Sequence, residues 1–220
     1  MSKVILIIQP GRYGDIIICL PIAKYYYDKG YKVEWLCPQE YHDLFRSISY
    51  CTPVTQITKT YYDVIDMSFG FNGPPERWWQ VTQPRWDSFI DAKYYLARVP
   101  VEERWKLEWD RDTEAEGRLF NKLTFGNPYR LIHETGSSGE AKKLYQEGDV
   151  VFGPQEGFTF FDWYKIICEA SEIHVVDSLL FNFAEVINEV KNTPKYYYNT
   201  SRSLPKHFHN ILKNGWITHD

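Results

Sequence analysis

The start of the chain constrains its fold most, because a strand, a turn, a helix and a second strand follow one another there. Val4 to Gln9 form an apolar run that is typical of a strand buried on both faces of a parallel sheet. Pro10 to Gly14 supply turn residues, and Asp15 to Lys29 form a largely apolar helix that stops at Gly30. Tyr31 to Cys37 then alternate as a second strand. This order predicts a β-α-β unit with a right-handed crossover.

Shorter segments continue the same alternation. Gln39 to Ile48 predict a short helix, while Val54 to Thr58 and Asp63 to Phe69 predict a third and a fourth strand. The pattern is lost from Gly70 to Pro84, which are rich in Gly, Pro and Trp. Trp86 to Leu123 return as polar, charge-rich helical sequence that is interrupted by a proline.

A second α/β region begins at Arg130. Its predicted strands are Arg130 to Glu134, Asp149 to Phe152, Ile173 to Val176 and Lys195 to Tyr198. Its predicted helices are Phe160 to Ala170, Leu179 to Val190 and Pro205 to Leu212. Strands that alternate with helices indicate mostly parallel sheets. We therefore expect a Rossmann-like half in residues 1–98, a helical bridge in residues 99–128 and a second Rossmann-like half in residues 129–220.

Composition indicates a globular protein with reduced thiols. The 220 residues are 44% hydrophobic and 25% charged, which provides enough apolar surface for a core. The formal net charge of -4 gives no broad positive field, so strong general binding of nucleic acid is not expected. No apolar segment approaches the ~20 residues of a membrane-spanning helix. The cysteines follow no metal-binding spacing and indicate a cytoplasmic protein without a bound metal: Cys19, Cys37, Cys51 and Cys168.

The first candidate site is the turn from Gly11 to Asp15, where the first strand passes into the first helix. Its middle residues are Arg12, Tyr13 and Gly14. Glycine lets a ligand approach the backbone closely, and the free N–H groups of a helix N-terminus attract anions. Asp15 has a second interpretation, since a carboxylate in the first turn also caps the helix. The turn does not match the dinucleotide-binding pattern GxGxxG.

The second candidate site follows the first strand of the second half. Small residues with free backbone N–H groups, followed by two lysines, can hold a diphosphate. The Gly-Lys-Ser/Thr ending of an ATP-hydrolysing P-loop is missing, and a solvated surface loop is an equally good interpretation. The residues concerned are Glu134, Thr135, Gly136, Ser137, Ser138, Gly139, Lys142 and Lys143.

The third candidate site is the end of the short strand that begins at Ile173. Asp177 and Ser178 stand between this strand and an apolar helix, where they can either cap the helix or bind hydroxyl groups of a ligand. His174 lies inside the strand and is interpreted as a structural histidine. The sequence supports neither a Ser/His/Asp triad nor a metal-ligand cluster.

Aromatic side chains make up 17% of the chain. Most of them are expected in the core. Three tryptophans of the irregular segment are candidates for stacking on an acceptor sugar or base: Trp78, Trp79 and Trp86.

Several segments together resemble a known family, the heptosyltransferase-like glycosyltransferases, which include the ADP-heptose:lipopolysaccharide heptosyltransferases. The opening ILIIQPGRYGDIIICLPIAKYYYDKGYKVEWLCP is similar to the family's first strand, Gly-Asp turn, Leu-Pro helix and second strand. YDVIDMSF, YRLIHETGSSGEAKK and FFDWYKIICEASEIHVVDSLLFNFAEVI are similar to its fourth strand, phosphate-side loop and donor-side Asp-Ser turn. The resemblance implies a GT-B-like α/β fold of two small Rossmann-type halves with a cleft between them.

The resemblance also implies roles for individual residues. Asp15 matches the general base that deprotonates the acceptor hydroxyl. The donor side, which needs no metal or other cofactor, corresponds to Gly11, Arg12, Gly14, Thr135, Gly136, Ser137, Lys142, Lys143, Asp177 and Ser178. After the Asp-Ser turn the family usually has a glycine and then a histidine, where this chain has Leu179 and Asn182.

These observations predict an inverting hexosyl- or heptosyl-type glycosyltransferase. Its partners would be a nucleotide-diphosphate sugar as co-substrate and a glycan, a lipid-linked sugar or a modified nucleic-acid base as acceptor. Two other interpretations stay open, namely a non-catalytic nucleotide or nucleotide-sugar binding module and an interaction protein with an aromatic surface.

Overall fold

The structure, a computed structural model, describes residues 3–68, 89–136, 139–140, 144–198 and 215–219. The chain divides into two compact units, Met1–Asp110 and Arg111–Asp220. Each unit contains a parallel sheet with helices, which confirms the predicted α/β class and the mostly parallel sheets. None of the helices in these described ranges has the length and apolar character that crossing a membrane requires.

The sheet of the first unit has four parallel strands in the order β3-β2-β1-β4. β1 lies inside the sheet because its apolar side chains are buried on both faces, and Ile5 pairs with Val33 on one side and Asp63 on the other. The strands are β1 (Val4–Ile8), β2 (Lys32–Leu36), β3 (Thr52–Val54) and β4 (Asp63–Asp66).

The helices of the first unit complete a core around Leu6, Ile7 and Trp35, each 0% exposed. α1 contributes Ile16, Leu20 and other buried side chains to this core. The α-helices are α1 (Tyr13–Asp28) and α2 (Phe89–Leu96), and the 3-10 helices are Gln39–Ser47 and Val101–Trp105.

The second unit contains a five-stranded parallel sheet in the order β11-β10-β9-β5-β8 and a separate antiparallel hairpin of β6 and β7. Its strands are β5 (Arg130–His133), β6 (Thr135–Gly136), β7 (Gly139–Glu140), β8 (Val150–Val151), β9 (Glu172–Val175), β10 (Lys195–Tyr198) and β11 (Ile217–His219). Its α-helices are α3 (Thr113–Thr124), α4 (Tyr164–Glu169) and α5 (Leu179–Val186). Its 3-10 helices are Phe160–Trp163 and Asn188–Val190.

Several predicted boundaries differ from the structure. The third strand begins at Thr52 and ends at Val54, rather than running to Thr58. The helix expected over Phe160 to Ala170 is a 3-10 turn followed by α4, and the helix expected over Leu179 to Val190 changes to a 3-10 turn after Val186. β11 and the hairpin were not predicted. The helix predicted over Pro205 to Leu212 lies outside the described residues.

Candidate functional site

The turn after β1 is attached to the core by a buried glutamine. Gln9 is 0% exposed, and its Nε2 donates a hydrogen bond to the carbonyl of Gly11 at 2.6 Å. The backbone carbonyl of Gln9 accepts from Trp35 Nε1 at 3.0 Å. These bonds fix the turn at the carboxyl edge of the sheet, immediately before the N-terminus of α1. Such an edge is where open α/β sheets bind ligands.

An aromatic ring packs closely against Gly11. A Cβ atom at this position would lie 2.9 Å from Cε2 of Tyr41. Tyr41 is itself in edge-to-face contact with Tyr13, at 4.9 Å between ring centroids, and the Tyr13 hydroxyl donates to the carbonyl of Glu40 at 2.8 Å. Arg12 is exposed and Gly14 is partly exposed, so both can be reached by a ligand from solvent.

Asp15 is partly exposed at the start of α1, and its environment changes its acidity. Its Oδ2 accepts the backbone N–H of Arg12 at 3.3 Å, so the capping interaction that the sequence offered as an alternative is present. Burial raises the pKa of Asp15, while the nearby Lys93 charge and the Arg12 N–H oppose this increase. A carboxylate with a raised pKa is a stronger base than an ordinary aspartate.

The sequence analysis missed Lys93, which lies on α2 and is 0% exposed. Its Nζ donates to Gln9 Oε1 at 2.6 Å and to the carbonyl of Met67 at 3.0 Å. Burial lowers the pKa of Lys93, and the nearby carboxylates of Asp15 and Asp66 oppose this effect. The signal available in the sequence was a lysine that stands between Ala92 and Tyr94, which are both buried in the structure.

Two of the candidate donor-binding segments meet in the second unit. A Cβ atom on Gly136 would overlap the backbone carbonyl oxygen of Asp177 and would lie 3.1 Å from Cγ2 of Val176. The residue must therefore be glycine for the loop after β5 to touch the turn after β9. Thr135 is exposed, and Asp177 is partly exposed. The structure thus brings the second and third candidate segments together within one unit.

Ser178 caps α5 and contacts a histidine that the sequence analysis did not select. Its Oγ accepts the N–H of Phe181 at 3.4 Å and lies 2.8 Å from Nδ1 of His133. Burial lowers the pKa of His133 to about 4, so its imidazole is uncharged at neutral pH. A neutral imidazole in van der Waals contact with Phe152, at 4.8 Å between ring centroids, orients the Ser178 hydroxyl without adding charge.

Glu134 accepts hydrogen bonds from the backbone at Leu144 and Tyr145. Its carboxylate accepts the backbone N–H groups of Leu144 and, at 2.6 Å, Tyr145. The Glu134 side chain, which follows β5, therefore holds the backbone at Leu144 and Tyr145. Some predicted site residues lie outside the described residues, and these are Trp78, Trp79, Trp86, Ser137, Lys142 and Lys143.

His174 contacts its own strand β9 and the neighbouring strand β10. Its Nε2 lies 2.8 Å from Glu172 Oε2, its Nδ1 lies 2.9 Å from the Tyr198 hydroxyl, and its ring stacks on Tyr196 at 4.6 Å. These contacts favour the structural interpretation. In the described part of the chain, no group of three or more His, Cys, Asp or Glu residues is arranged to hold a metal ion.

The fold is the two-unit α/β fold of heptosyltransferases. Protein-family models and curated protein sequences give no match to this chain. Solved structures do match it. The family 9 glycosyl transferase from Veillonella parvula has a TM-score of 0.61 at 10% identity, with 99% of this chain and 85% of that chain covered.

Two Escherichia coli proteins show the same similarity. WaaC, a heptosyltransferase solved with ADP, has a TM-score of 0.54 at 11% identity, with 92% of this chain and 89% of that chain covered. TibC, described as an iron-containing dodecameric glycosyltransferase, has a TM-score of 0.57 at 13% identity over 90% of this chain. This chain spans 58% of the TibC chain. At these identities the likeness establishes a shared fold, as the sequence resemblance implied.

Proposed function

We propose that the chain is an inverting glycosyltransferase that transfers a sugar from a nucleotide-diphosphate donor to an acceptor hydroxyl without a metal ion. The observation that carries the proposal is Asp15, a partly exposed carboxylate with a raised pKa at the ligand-binding edge of the first sheet. The shared fold of the glycosyltransferases described above supports the class of reaction. The free cysteines agree with the cytoplasmic location that we expect.

The proposed chemistry is a single displacement. Asp15 removes the proton of the acceptor hydroxyl while the acceptor oxygen forms a bond to the anomeric carbon. The bond from that carbon to the diphosphate oxygen breaks, and the nucleoside diphosphate leaves with the electron pair. Attack from the face opposite the leaving group inverts the anomeric configuration.

The donor side is assigned to the second unit. The N-terminus of α5 and the backbone N–H groups around Gly136 can stabilise the departing diphosphate, while Asp177 and Ser178 can bind donor hydroxyls. Lys142 or Lys143 would supply positive charge, and the hydroxyl groups of Thr135 and Ser137 would donate hydrogen bonds to phosphate oxygens. On the first unit, Gly11, Arg12 and Gly14 would contribute backbone and guanidinium groups beside Asp15.

ADP-sugars are the donors to test first. TibC has been crystallised with ADP-D-β-D-heptose, and WaaC has been crystallised with ADP. The acceptor is proposed to be a glycan, a lipid-linked sugar or a modified nucleic-acid base, with Trp78, Trp79 and Trp86 as candidates for stacking on it.

The direct test replaces Asp15 with asparagine. Asp15→Asn keeps the shape of the side chain but removes its basicity, so kcat should fall by about 100- to 10,000-fold with an unchanged circular dichroism spectrum. Asp28→Asn is the matched control, because this exposed carboxylate at the far end of α1 pairs with Lys24 on the surface. Turnover of nucleotide sugar would be followed by release of the nucleoside diphosphate. Full activity of Asp15→Asn would refute the proposed mechanism.

A non-catalytic nucleotide-binding module is the second candidate. The observation that favours it is Leu179 and Asn182, which stand where the resembled family usually has glycine and histidine. Thermal shift with ADP, UDP, GDP and their sugars separates the two candidates, because a ligand at 100-fold its Kd stabilises the folded state by about 2.7 kcal/mol. Stabilisation without turnover on any acceptor would favour the module, and no stabilisation by any nucleotide would contradict both.

A further inference from the structure

Lys93 is a buried cation placed directly behind the turn that carries Asp15. It is 0% exposed, and its Nζ lies between the carboxyl ends of the two neighbouring strands β1 and β4, where it donates to Gln9 Oε1 and to the Met67 carbonyl. Burying an ammonium group costs several kcal/mol even after relaxation. A methionine would fill the same space without this cost. The fold therefore keeps a charge here at the expense of stability.

A continuous series of hydrogen bonds leads from Lys93 to Asp15. Lys93 Nζ donates to Gln9 Oε1 at 2.6 Å, and Gln9 Nε2 donates to the Gly11 carbonyl at 2.6 Å. The N–H of Arg12, which belongs to the same peptide group as that carbonyl, donates to Asp15 Oδ2 at 3.3 Å. Every bond has the same donor-to-acceptor direction, so each one polarises the next. We refer to these groups as the Lys93 relay.

Lys93 and Asp15 interact with charged and titratable groups of α1 and β4. Lys93 faces Asp15 and Cys19 of α1 and Asp66 at the end of β4, while Asp15 faces Lys93 and Arg12. Cys19 is fully buried, and burial raises the pKa of its thiol to about 12, so it is uncharged at neutral pH. Lys93 and Asp15 therefore form a pair of opposite charges on the inner side of this turn.

We propose that Lys93 is a positioning residue for the base of the transfer reaction: through Gln9 and the Gly11–Arg12 peptide group it orients the Asp15 carboxylate, and its charge keeps that carboxylate ionised. The proposal rests on the proposed function for its catalytic consequence. The effect on Asp15 itself does not depend on turnover.

The test compares Lys93→Met with Lys195→Met. Lys195 is the matched control, because it is also a buried lysine, 1% exposed, and it donates to the carbonyls of Val190, Lys191 and Thr193 in the second unit. Asp15 is observed by carbon-13 NMR of aspartate carboxyl groups in the full chain, and its resonance is identified by its loss in Asp15→Asn. Lys93→Met should raise the pKa of Asp15 by about one unit, whereas Lys195→Met should leave it unchanged.

The kinetic readout follows from the same shift. In Lys93→Met the acid limb of the pH profile of kcat should move to higher pH by about one unit. At pH values below this limb kcat should be about tenfold lower than in wild type, and at pH values well above it kcat should stay near wild type. A purely structural defect would lower kcat equally at every pH. Gln9→Leu keeps the ammonium but breaks the relay, and it should lower kcat with little movement of the limb.

The outcomes distinguish the two proposals. An unchanged Asp15 pKa in folded Lys93→Met would overturn the role of Lys93, whatever the activity. If wild type shows no turnover but the Asp15 pKa is shifted in Lys93→Met, the proposed function is refuted. The electrostatic interaction between Lys93 and Asp15 is then still supported. If Lys93→Met does not fold, Lys93→Gln takes its place, because its amide keeps a donor to Gln9 without the charge, and the same shift is expected.

Discussion

His133 shows how one buried side chain connects the stability of the second unit to pH. Its ring is partly buried against Phe152 and is hydrogen-bonded to Ser178. Burial disfavours the charged form of the imidazole and lowers its pKa to about 4. The unprotonated imidazole is therefore part of the folded state.

The resulting pH dependence can be measured. The pKa of His133 is lowered from 6.5 to about 4, so between these values the unfolded chain binds a proton that the folded chain does not. Its contribution to the free energy of unfolding is fully present above about pH 6.5 and is lost as the pH falls through 4, by about 3 kcal/mol at most. His133→Asn retains a hydrogen-bonding group for Ser178. This variant should reduce the pH dependence of the free energy of unfolding, measured in urea, between about pH 4 and 6.5.

The control for this measurement is His219→Asn. His219 is exposed on β11, so this variant makes the same substitution at a histidine outside the contact between His133 and Ser178. An equal slope for wild type and His133→Asn would contradict the neutral-histidine assignment.

Residues of this kind explain why the candidate site was only partly predictable. Sequence reasoning selected Asp15, Gly136 and Ser178, because glycines and capping residues between a strand and a helix have a recognisable pattern. Lys93 and His133 have no such pattern. Each is a single polar residue in an apolar segment, and only the burial and partners that the fold creates give it a particular role.

Among the elements, the contact between β6 and the turn after β9 depends on a single glycine. Gly136→Ala would push a methyl group into the Asp177 carbonyl oxygen, which is part of the backbone and cannot rotate away. We expect a loss of about 1–3 kcal/mol in urea unfolding. Gly153→Ala is the control, because a Cβ atom there meets nothing within 4 Å, and its stability should change by less than about 1 kcal/mol. Equal stability of the two variants would show that the turns move apart easily.

The position of a strand or helix in the fold, central or at an edge, decided how well it could be predicted. β1 and α1 were placed within two residues, because β1 is a long apolar run between two neighbours and α1 is largely buried. β3, β8 and β11 lie at the edges of their sheets. An edge strand has one partner and a partly exposed surface, so its sequence carries a weaker pattern. β11 is exposed along its whole length, which explains why it was missed.

For the whole molecule, the two-part α/β organisation was predictable because each β-α-β step is encoded locally. The fold is shared with proteins of only 10–13% identity, so it does not depend on the identity of most individual residues. The residues implied by resemblance are a separate matter, because a shared fold does not transfer chemistry. Their roles are therefore decided by the substitutions described above.

The overall charge leads to a prediction about partners. With a formal net charge of -4, the protein offers no general positive field to the phosphate backbone. Fluorescence anisotropy with a random DNA duplex at about 0.15 M salt should give no binding tighter than about 10⁻⁴ M. Tight and salt-sensitive binding would instead support a nucleic-acid acceptor and would require a concentrated basic surface.

The main-chain contact of Gly136 with Asp177 has a consequence for altering donor preference. Residues 135–136 and 176–177 come from different crossovers, yet their backbones are in close contact at Gly136 and Asp177. A directed-evolution library that randomises only one of the two segments will be depleted of folded clones. Varying both segments together is the productive design, and compensating pairs of substitutions are what such a selection should recover.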